Sequence, residues 1–316
     1  MIYLVTGGTG FIGSHVVKEL ISQGHQVVTY DSLIDGNSIE FVLEPEEIKQ
    51  VQMVRGDIAD LPFLLKTAKA YKIESIIHLA YIMGLVDENP SLALSVNCQG
   101  SINVFETASI LGLGKVVWAS SNGVFGSPDQ YLYEYLPNDA PHYPPSIYGA
   151  CKSFIERVSN YYFDKKNVDS NAPRFVMIYG PGRMRGAGMF IADMINKPAL
   201  GLPAKIPYKD ELQNFMYVKD AARCLVMLSN VERTKTRIYN VSGDLLRVGE
   251  CADIVKKFLP DANITLEGGK FTVELTWKYD VSRIQNEVGF YPEYNMEQGI
   301  KETMNFIRRK NNLPLV

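Results

Sequence analysis

TGGTGFIG, Thr6 to Gly13, follows the apolar run Ile2 to Val5 without a break and opens directly into an amphipathic stretch. That order reads as a strand, a tight glycine turn and the start of a helix. Gly7, Gly10 and Gly13 stand three apart, the spacing that a dinucleotide site needs. One glycine makes the turn, one lets backbone approach a pyrophosphate, and one packs helix on strand. The N–H groups at the helix start would then face the phosphates. Val27-Val28-Thr29-Tyr30 predicts the second strand. Asp31 at its end can accept hydrogen bonds from ribose hydroxyls and repel a 2′-phosphate.

Working outward, short β-branched runs alternate with helical stretches to about residue 180: Gln52 to Val54, Ser75 to His78, Lys115 to Trp118 and Arg174 to Ile178. The alternation predicts an α/β fold, a Rossmann-type doubly wound parallel sheet with helices on both faces. In such sheets ligands bind beyond the carboxyl ends of the strands. The residues to inspect are therefore Gly7 to Gly13, Asp31, Asp57, Leu79 to Met83, Ser120 to Gly126 and Tyr179 to Gly182. After residue 180 the rhythm gives way to loops rich in Gly and Pro, and Tyr217 to Ser229 and Ile238 to Ser242 read as a return to the sheet. The expected division is a dinucleotide-binding domain over 1–178 plus about 212–246. A smaller C-terminal α+β substrate lobe would take about 179–211 plus 247–316. Tyr131 to Tyr135, with prolines at 137, 141, 144 and 145, reads as a long loop serving as scaffold or lid.

The 316 residues suffice for one large domain with a smaller lobe. A net charge of -3 with mixed signs gives no footprint for nucleic acid, and no apolar run reaches membrane-span length. A small-molecule substrate is the expected partner. Cys98, Cys151, Cys224 and Cys251 lack metal-ligand spacing and suit reduced, buried thiols, so no metal is expected. Because the chain enters its first strand at once, no signal peptide is read and a cytoplasmic location is expected.

Hydride chemistry at an alcohol or ketone needs a group that exchanges a proton with the substrate oxygen. Tyr148-Gly-Ala-Cys-Lys152 offers a tyrosine with a lysine one helical turn away, where a cation favours the phenolate. Tyr161/Lys165 and Tyr162/Lys166 repeat the spacing a helix length farther on and read as a solvated, partly packed face. Ser121, delivered by the run Val116 to Ala119, can donate to the substrate oxygen. Ser120 is expected to bond the backbone. His78 is expected to line the cofactor pocket as a structural residue. Tyr81, Ile82, Met83, Met184, Met189, Phe190 and Trp277 suggest apolar walls for the cleft, with half of them or more in ordinary core.

These residues together resemble the extended short-chain dehydrogenase/reductase superfamily, in its NAD-dependent epimerase/dehydratase branch. The resemblance spans nearly the whole chain. It rests on TGGTGFIG, Gly56-Asp57, HLA at 78–80, Asn97 with Gly100 and Asn103, SSNGVFG at 120–126, YGACK at 148–152, YGPG at 179–182 and Phe215 to Asp220. It implies NAD held by Gly7, Gly10, Phe11, Ile12, Gly13, Asp31, Asp57, Ile58, Leu79, Ala80 and Tyr179 together with Tyr148 and Lys152. It also implies Ser121, Tyr148 and Lys152 as the catalytic set, and a homodimer formed through the helices near 91–112 and 149–165. Met83, Ser121, Asn122, Tyr148, Arg183 and Arg185 are the candidate substrate contacts.

Departures from the family pattern bear on the substrate. Members acting on nucleotide sugars carry Asn where Met177 stands and Arg-Asp where Gln213-Asn214 stand. Where those members carry an Arg-Pro-Gly-Asp segment, Leu275 to Tyr279 precedes Asp280 here. Dehydratases resemble one another in an Asp-Glu pair that Asn122-Gly123 replaces. HLAYIMGLVDENPSLA and SSNGVFG are similar to the branch that contains threonine dehydrogenase. The reading is an NAD-dependent oxidoreductase acting on a secondary alcohol or ketone of a small, non-nucleotide substrate. The alternative is a nucleotide-sugar 4-epimerase using the same three residues. The intact trio argues against a non-catalytic NAD-binding protein.

Overall fold

In the computed structural model, which describes residues 1–34, 37–83, 86, 88–271 and 278–316, β1 (Ile2–Thr6) ends at the glycine turn and α1 (Phe11–Ser22) begins after it. Gly7 adopts a left-handed φ of +69°, and a Cβ there would lie 2.6 Å from the Ala80 nitrogen. A Cβ on Gly13 would lie 2.1 Å from the Gly7 carbonyl oxygen. No side chain larger than hydrogen lets helix and strand meet this closely.

Further strands follow in chain order: β2 (Gln26–Asp31), β3 (Val51–Arg55), β4 (Ser75–His78), β5 (Lys115–Trp118), β6 (Ser120–Ser121) and β7 (Ser170–Phe175). After β8 (Met177–Tyr179), β9 (Ala204–Ile206) and β10 (Leu212–Tyr217) come β11 (Ile238–Asn240), β12 (Asp244–Arg247) and β13 (Ile264–Leu266). The large sheet runs β11-β7-β5-β4-β1-β2-β3, with β6 beside β7, and every pairing in it is parallel. Strand order reverses between β1 and β4, where a crevice opens at the strands' carboxyl ends.

Alternate residues of the central strands feed two separate cores. Tyr3, Val5, Val27, Ile77 and Val117 point one way, and Leu4, Val28, Tyr30, Ile76, Val116 and Trp118 the other. Burial on both faces explains why these strands read as unbroken apolar runs. The longer helices after α1 are α2 (Leu61–Ala70), α3 (Gly100–Leu111), α4 (Ile147–Lys166), α5 (Met189–Ala199), α6 (Val218–Asn230), α7 (Val248–Phe258), α8 (Ser282–Val288) and α9 (Met296–Lys310). Helices α1 and α6 cover the first face through Val16, Val17, Leu20, Ala221 and Leu225. Helices α2, α3 and α4 cover the second through Leu64, Phe105 and Ile155.

The run Arg174 to Ile178, read from sequence as one strand, is broken at Val176. Strand β7 stays in the large sheet, whereas β8 pairs with β10 in a second sheet of order β12-β10-β8. Here the chain steps from one layer to the other. Helix α6 and strand β11 then return it to the large sheet. Strands β13 and β9 form a separate parallel pair.

The C-terminal part of the proline-rich loop is tied into the fold, while Leu132, Tyr133 and Tyr135 are exposed. The Leu136 N–H donates to the Lys278 carbonyl at 2.8 Å, and the buried Asn138 amide bonds the backbone of Ile238 and Asn240. All four cysteines are buried free thiols. Among the described residues no helix is long and apolar enough to cross a membrane, and no cluster of side chains could hold a metal.

The close approach at Gly13 gives a direct test. Gly13→Ala is expected to lower the unfolding free energy by about 1–3 kcal/mol in urea titrations, through overpacking. Gly114→Ala, whose Cβ would meet nothing nearer than the Glu74 oxygen at 3.6 Å, should change it by less than about 0.5 kcal/mol. Equal effects would mean that the turn is not tightly packed.

Candidate active site

Four strand ends converge on the crevice. At the end of β2, the Asp31 carboxylate accepts from the Thr9 hydroxyl at 2.7 Å and from the Leu33 N–H at 3.3 Å, which fixes it beside the glycine turn. Helix α1 starts at Gly10, which offers no capping side chain, and its first turn carries no acid. Its N-terminal N–H groups and its partial positive charge are thus left for an anion. Phe11 and Ile12 lie partly buried at this helix start.

Beyond β3, Asp57 is exposed and accepts from the Ala59 N–H at 2.9 Å. Ile58 is buried against α3, where a Cβ on Gly100 would lie 2.5 Å from its Cγ2. The N–H groups of Leu79 and Ala80, just past β4, donate to the Thr6 hydroxyl oxygen at 3.2 and 3.3 Å. His78 does not face the cleft. It is buried between the Thr6 and Ser101 hydroxyls at 2.7 and 3.0 Å, and burial lowers its pKa to about 3. It stays neutral and structural. The Tyr179 ring is also turned away, into a core with Phe215 and Tyr217, and its hydroxyl abuts Gly299.

Ser121, Tyr148 and Lys152 come together at the ends of β6 and α4. The Ser146 hydroxyl caps α4 by accepting from the Gly149 N–H at 3.1 Å, which starts the helix just before Tyr148. A Cβ on Gly149 would lie 2.0 Å from the Gly123 oxygen, so the glycine seats the helix directly on the turn that follows Ser121. The Ser121 hydroxyl and the Tyr148 ring lie side by side at Gly123, where a Cβ would stand 3.3 Å from Ser121 Oγ and 3.5 Å from Tyr148 Cε1. Burial raises the Tyr148 pKa, while the neighbouring Ser121 hydroxyl and the Arg183 charge act in the opposite direction. Lys152 lies one turn on, buried, its ammonium donating to the Ala119 carbonyl at 2.6 Å. Burial pushes its pKa down to about 7. Tyr161 is exposed, and Tyr162 is packed in the core with its hydroxyl donating to Glu106 at 2.7 Å.

One turn beyond Lys152 stands Glu156, which the motif reading missed. Arg174 grips its carboxylate with two bonds, from Nε at 2.9 Å and from Nη2 at 2.8 Å. Ser120 donates to the same carboxylate at 2.6 Å rather than to backbone. Arg174 Nη1 further donates to the Asn138 carbonyl at 2.6 Å and to Asn240 Oδ1 at 3.0 Å. His142 sits 3.3 Å from Glu156 and 2.8 Å from the Ser153 hydroxyl. The signal was available as Glu eight residues after Tyr148 and Arg in β7, but only the fold pairs them.

The candidate substrate contacts divide. Asn122 is partly buried and donates to the Tyr279 hydroxyl at 3.2 Å. The Arg183 guanidinium stacks over Phe11 at 5.3 Å and donates to the Ile178 carbonyl at 3.0 Å, and its buried Nε has no partner among the described residues. Met83 and Arg185 are exposed. Of the apolar wall residues, Phe190 is core and Met184 is exposed. Trp277 and the Leu275 to Trp277 stretch lie outside the described residues.

Residues 3–242 match the NAD dependent epimerase/dehydratase family. The chain belongs to that family. As a member it is an NAD-dependent enzyme of oxidoreductase chemistry. The residues present fit NAD: α1 begins beside the Gly7–Gly13 turn with no capping side chain and no acid in its first turn, and Asp31 stands at the end of β2 next to that turn. A UDP-glucuronate 4-epimerase of Thermodesulfobacterium geofontis is 28% identical, with 99% of this chain and 98% of the relative aligned. The solved UDP-glucose 4-epimerase of Thermus thermophilus, in complex with NAD, is 25% identical with a TM-score of 0.83, covering 98% of this chain and 99% of that one. The L-threonine dehydrogenase of Clostridium difficile shares the fold at 24% identity and a TM-score of 0.82, covering 98% of each chain.

Removing Glu156 would strand the Arg174 charge in the interior. Glu156→Ala is expected to cost about 3–5 kcal/mol of unfolding free energy in denaturant titrations. Lys49→Ala, which breaks the exposed pair with Glu46, should leave the transition where it was. If both variants unfold alike, the buried pair is not what fastens α4.

Proposed function

We propose that this family member is a 4-epimerase of a UDP-linked sugar, with Ser121, Tyr148 and Lys152 handling the proton at the reacting oxygen. The observation that carries the reading is the Ser121 hydroxyl beside Tyr148, with Lys152 one helical turn on and its ammonium held by the Ala119 carbonyl at 2.6 Å. End-to-end similarity to 4-epimerases supports the substrate class and favours it over the small non-nucleotide alcohol expected from sequence.

Tyr148 as phenolate accepts the proton of the sugar hydroxyl, and Ser121 donates a hydrogen bond to the same oxygen. The Lys152 ammonium stabilises the phenolate electrostatically, which offsets the burial that raises the tyrosine pKa. NAD, when bound, supplies the acceptor and donor of a hydride at the sugar carbon. Tyr148 then returns its proton to the oxygen on the inverted centre, leaving no net redox change. Asp31 would accept from the adenosine ribose and disfavour a 2′-phosphate. Arg183, a partly buried cation near Tyr148 whose Nε has no partner among the described residues, is the chain's candidate for a charged group on the substrate.

Specific residues favour a second reading, a dehydrogenase acting on a small alcohol. Met177 cannot hydrogen-bond a nucleotide sugar as an amide would. Asn214 is engaged with the Ser242 hydroxyl at 2.7 Å and the Gly243 N–H at 2.8 Å. In either reading, we propose a homodimer formed through α3 and α4, whose exposed Ile110, Phe154 and Tyr161 would be covered.

Chromatography of UDP-glucose, UDP-galactose and UDP-glucuronate after incubation with protein and NAD tests the proposal. Interconversion at C4 without accumulating NADH is expected. Tyr148→Phe should lower turnover at least about a hundredfold while NAD binding persists. Stoichiometric NADH from a small alcohol, with UDP-sugars untouched, would establish the dehydrogenase instead.

A further inference from the structure

A buried ammonium needs compensation, and the Lys152 environment offers little of the usual kind. The only hydrogen bond recorded for it among the described residues is to the Ala119 carbonyl. The nearest carboxylate on its own helix, Glu156, is already committed to Arg174 and Ser120. The other titratable neighbours are the Cys151 and Cys98 thiols, His78 and Tyr148, none of them a charge partner in its resting form.

What lies against the ammonium is an aromatic face. Lys152 Nζ stands 3.3 Å from the centroid of the Tyr81 ring, closer than its 5.7 Å to the Tyr148 ring. The Tyr81 and Tyr148 rings meet edge to face, their centroids 5.5 Å apart and their planes at 87°. One ring therefore touches both members of the proton-handling pair.

The placement is built. Asn97, fully buried, bonds the backbone of the next residue twice, accepting from the Ile82 N–H at 2.9 Å and donating to the Ile82 carbonyl at 2.9 Å. That clamp fixes the chain just past Tyr81. The Tyr81 hydroxyl is itself buried without a partner among the described residues. An orphaned hydroxyl contributes nothing favourable, so the ring, not the oxygen, accounts for the residue.

We propose that Tyr81 is a positioning residue whose π face holds the Lys152 ammonium ion in place beside Tyr148. A desolvated cation over an aromatic face is stabilised by the negative pole of the ring quadrupole. Losing that face disfavours the charged form of Lys152, so its titration midpoint moves down. Since the lysine acts while charged, the high-pH limb of turnover moves down with it. The proposal rests on the reading of Tyr148 and Lys152 as the proton-handling pair.

The test compares the full-length wild-type chain with Tyr81→Phe, Tyr81→Leu and a variant carrying 3,4,5-trifluorophenylalanine at position 81. The fluorinated ring keeps the shape while withdrawing the electron density that attracts a cation. With lysine labelled by carbon-13 at Cε, the Lys152 resonance is identified by its loss in Lys152→Met and followed through a pH titration. Tyr81→Phe is expected to leave the midpoint within about 0.3 unit, and the fluorinated and Leu variants to lower it by about one unit. The fluorinated variant decides the matter if Leu at 81 does not fold. Its kcat above neutral pH should fall about tenfold, with the KM for UDP-sugar within about twofold. An unmoved midpoint in the fluorinated variant overturns the proposal, as does a Phe variant as impaired as Leu, which would assign the role to the hydroxyl. A shifted midpoint in a protein whose wild type leaves UDP-sugars untouched removes the epimerase reading and leaves the role of Tyr81 standing.

Discussion

Glu156 carries a carboxylate into the interior, where it could not stay alone, and Arg174 meets it with two parallel hydrogen bonds. The pair joins three parts of the molecule that sequence separates. Glu156 belongs to the helix that carries Tyr148 and Lys152. Arg174 belongs to β7, and Ser120, which shares the carboxylate, precedes Ser121. A pair buried this deeply is weak as a source of stability, because desolvation offsets most of its attraction. Its value lies in geometry: the carboxylate has one place where all its bonds are satisfied, and that place sets the register of helix against strand.

Two close backbone approaches complete the frame. Gly149 seats α4 on the turn after Ser121, and Gly13 seats α1 on the turn after β1. The first brings Ser121, Tyr148 and Lys152 together, and the second leaves an uncapped helix start facing the crevice. Both depend on the missing Cβ. The glycine turn and the Ser121, Tyr148 and Lys152 group are thus placed by the same device, used once on each side of the point where strand order reverses.

Much of this was legible in the chain. TGGTGFIG carries its own context of strand and helix, and the Tyr148/Lys152 spacing follows from helical geometry. Apolar runs at β1, β4 and β5 mark strands buried on both faces. The residues that escaped reading are those whose partners come from elsewhere in the fold. Glu156 drew no reading from the sequence, because only the fold brings Arg174 of β7 to it. Tyr81 looked like a cleft wall, and nothing local says that Asn97 would turn its ring onto Lys152. The break at Val176 was invisible because residues on both sides of it are equally apolar. Met177, Gln213 and Asn214 pointed to a small alcohol because they replace the amide, cation and acid that family members acting on nucleotide sugars carry, whereas the relatives similar from end to end include 4-epimerases. Arg183 is partly buried, and its Nε has no partner among the described residues.

The central claim is that one carbon of a UDP-sugar is oxidised and re-reduced on this protein while Tyr148 shuttles the proton of its oxygen. Converting UDP-glucose that carries deuterium at C4, followed by mass spectrometry and NMR of the product, tests it most directly. The account predicts UDP-galactose with the deuterium retained at C4, since the hydride leaves and returns to the same carbon. Product from which the label has washed out into water, or no product at all alongside NADH formed from a small alcohol, would contradict it.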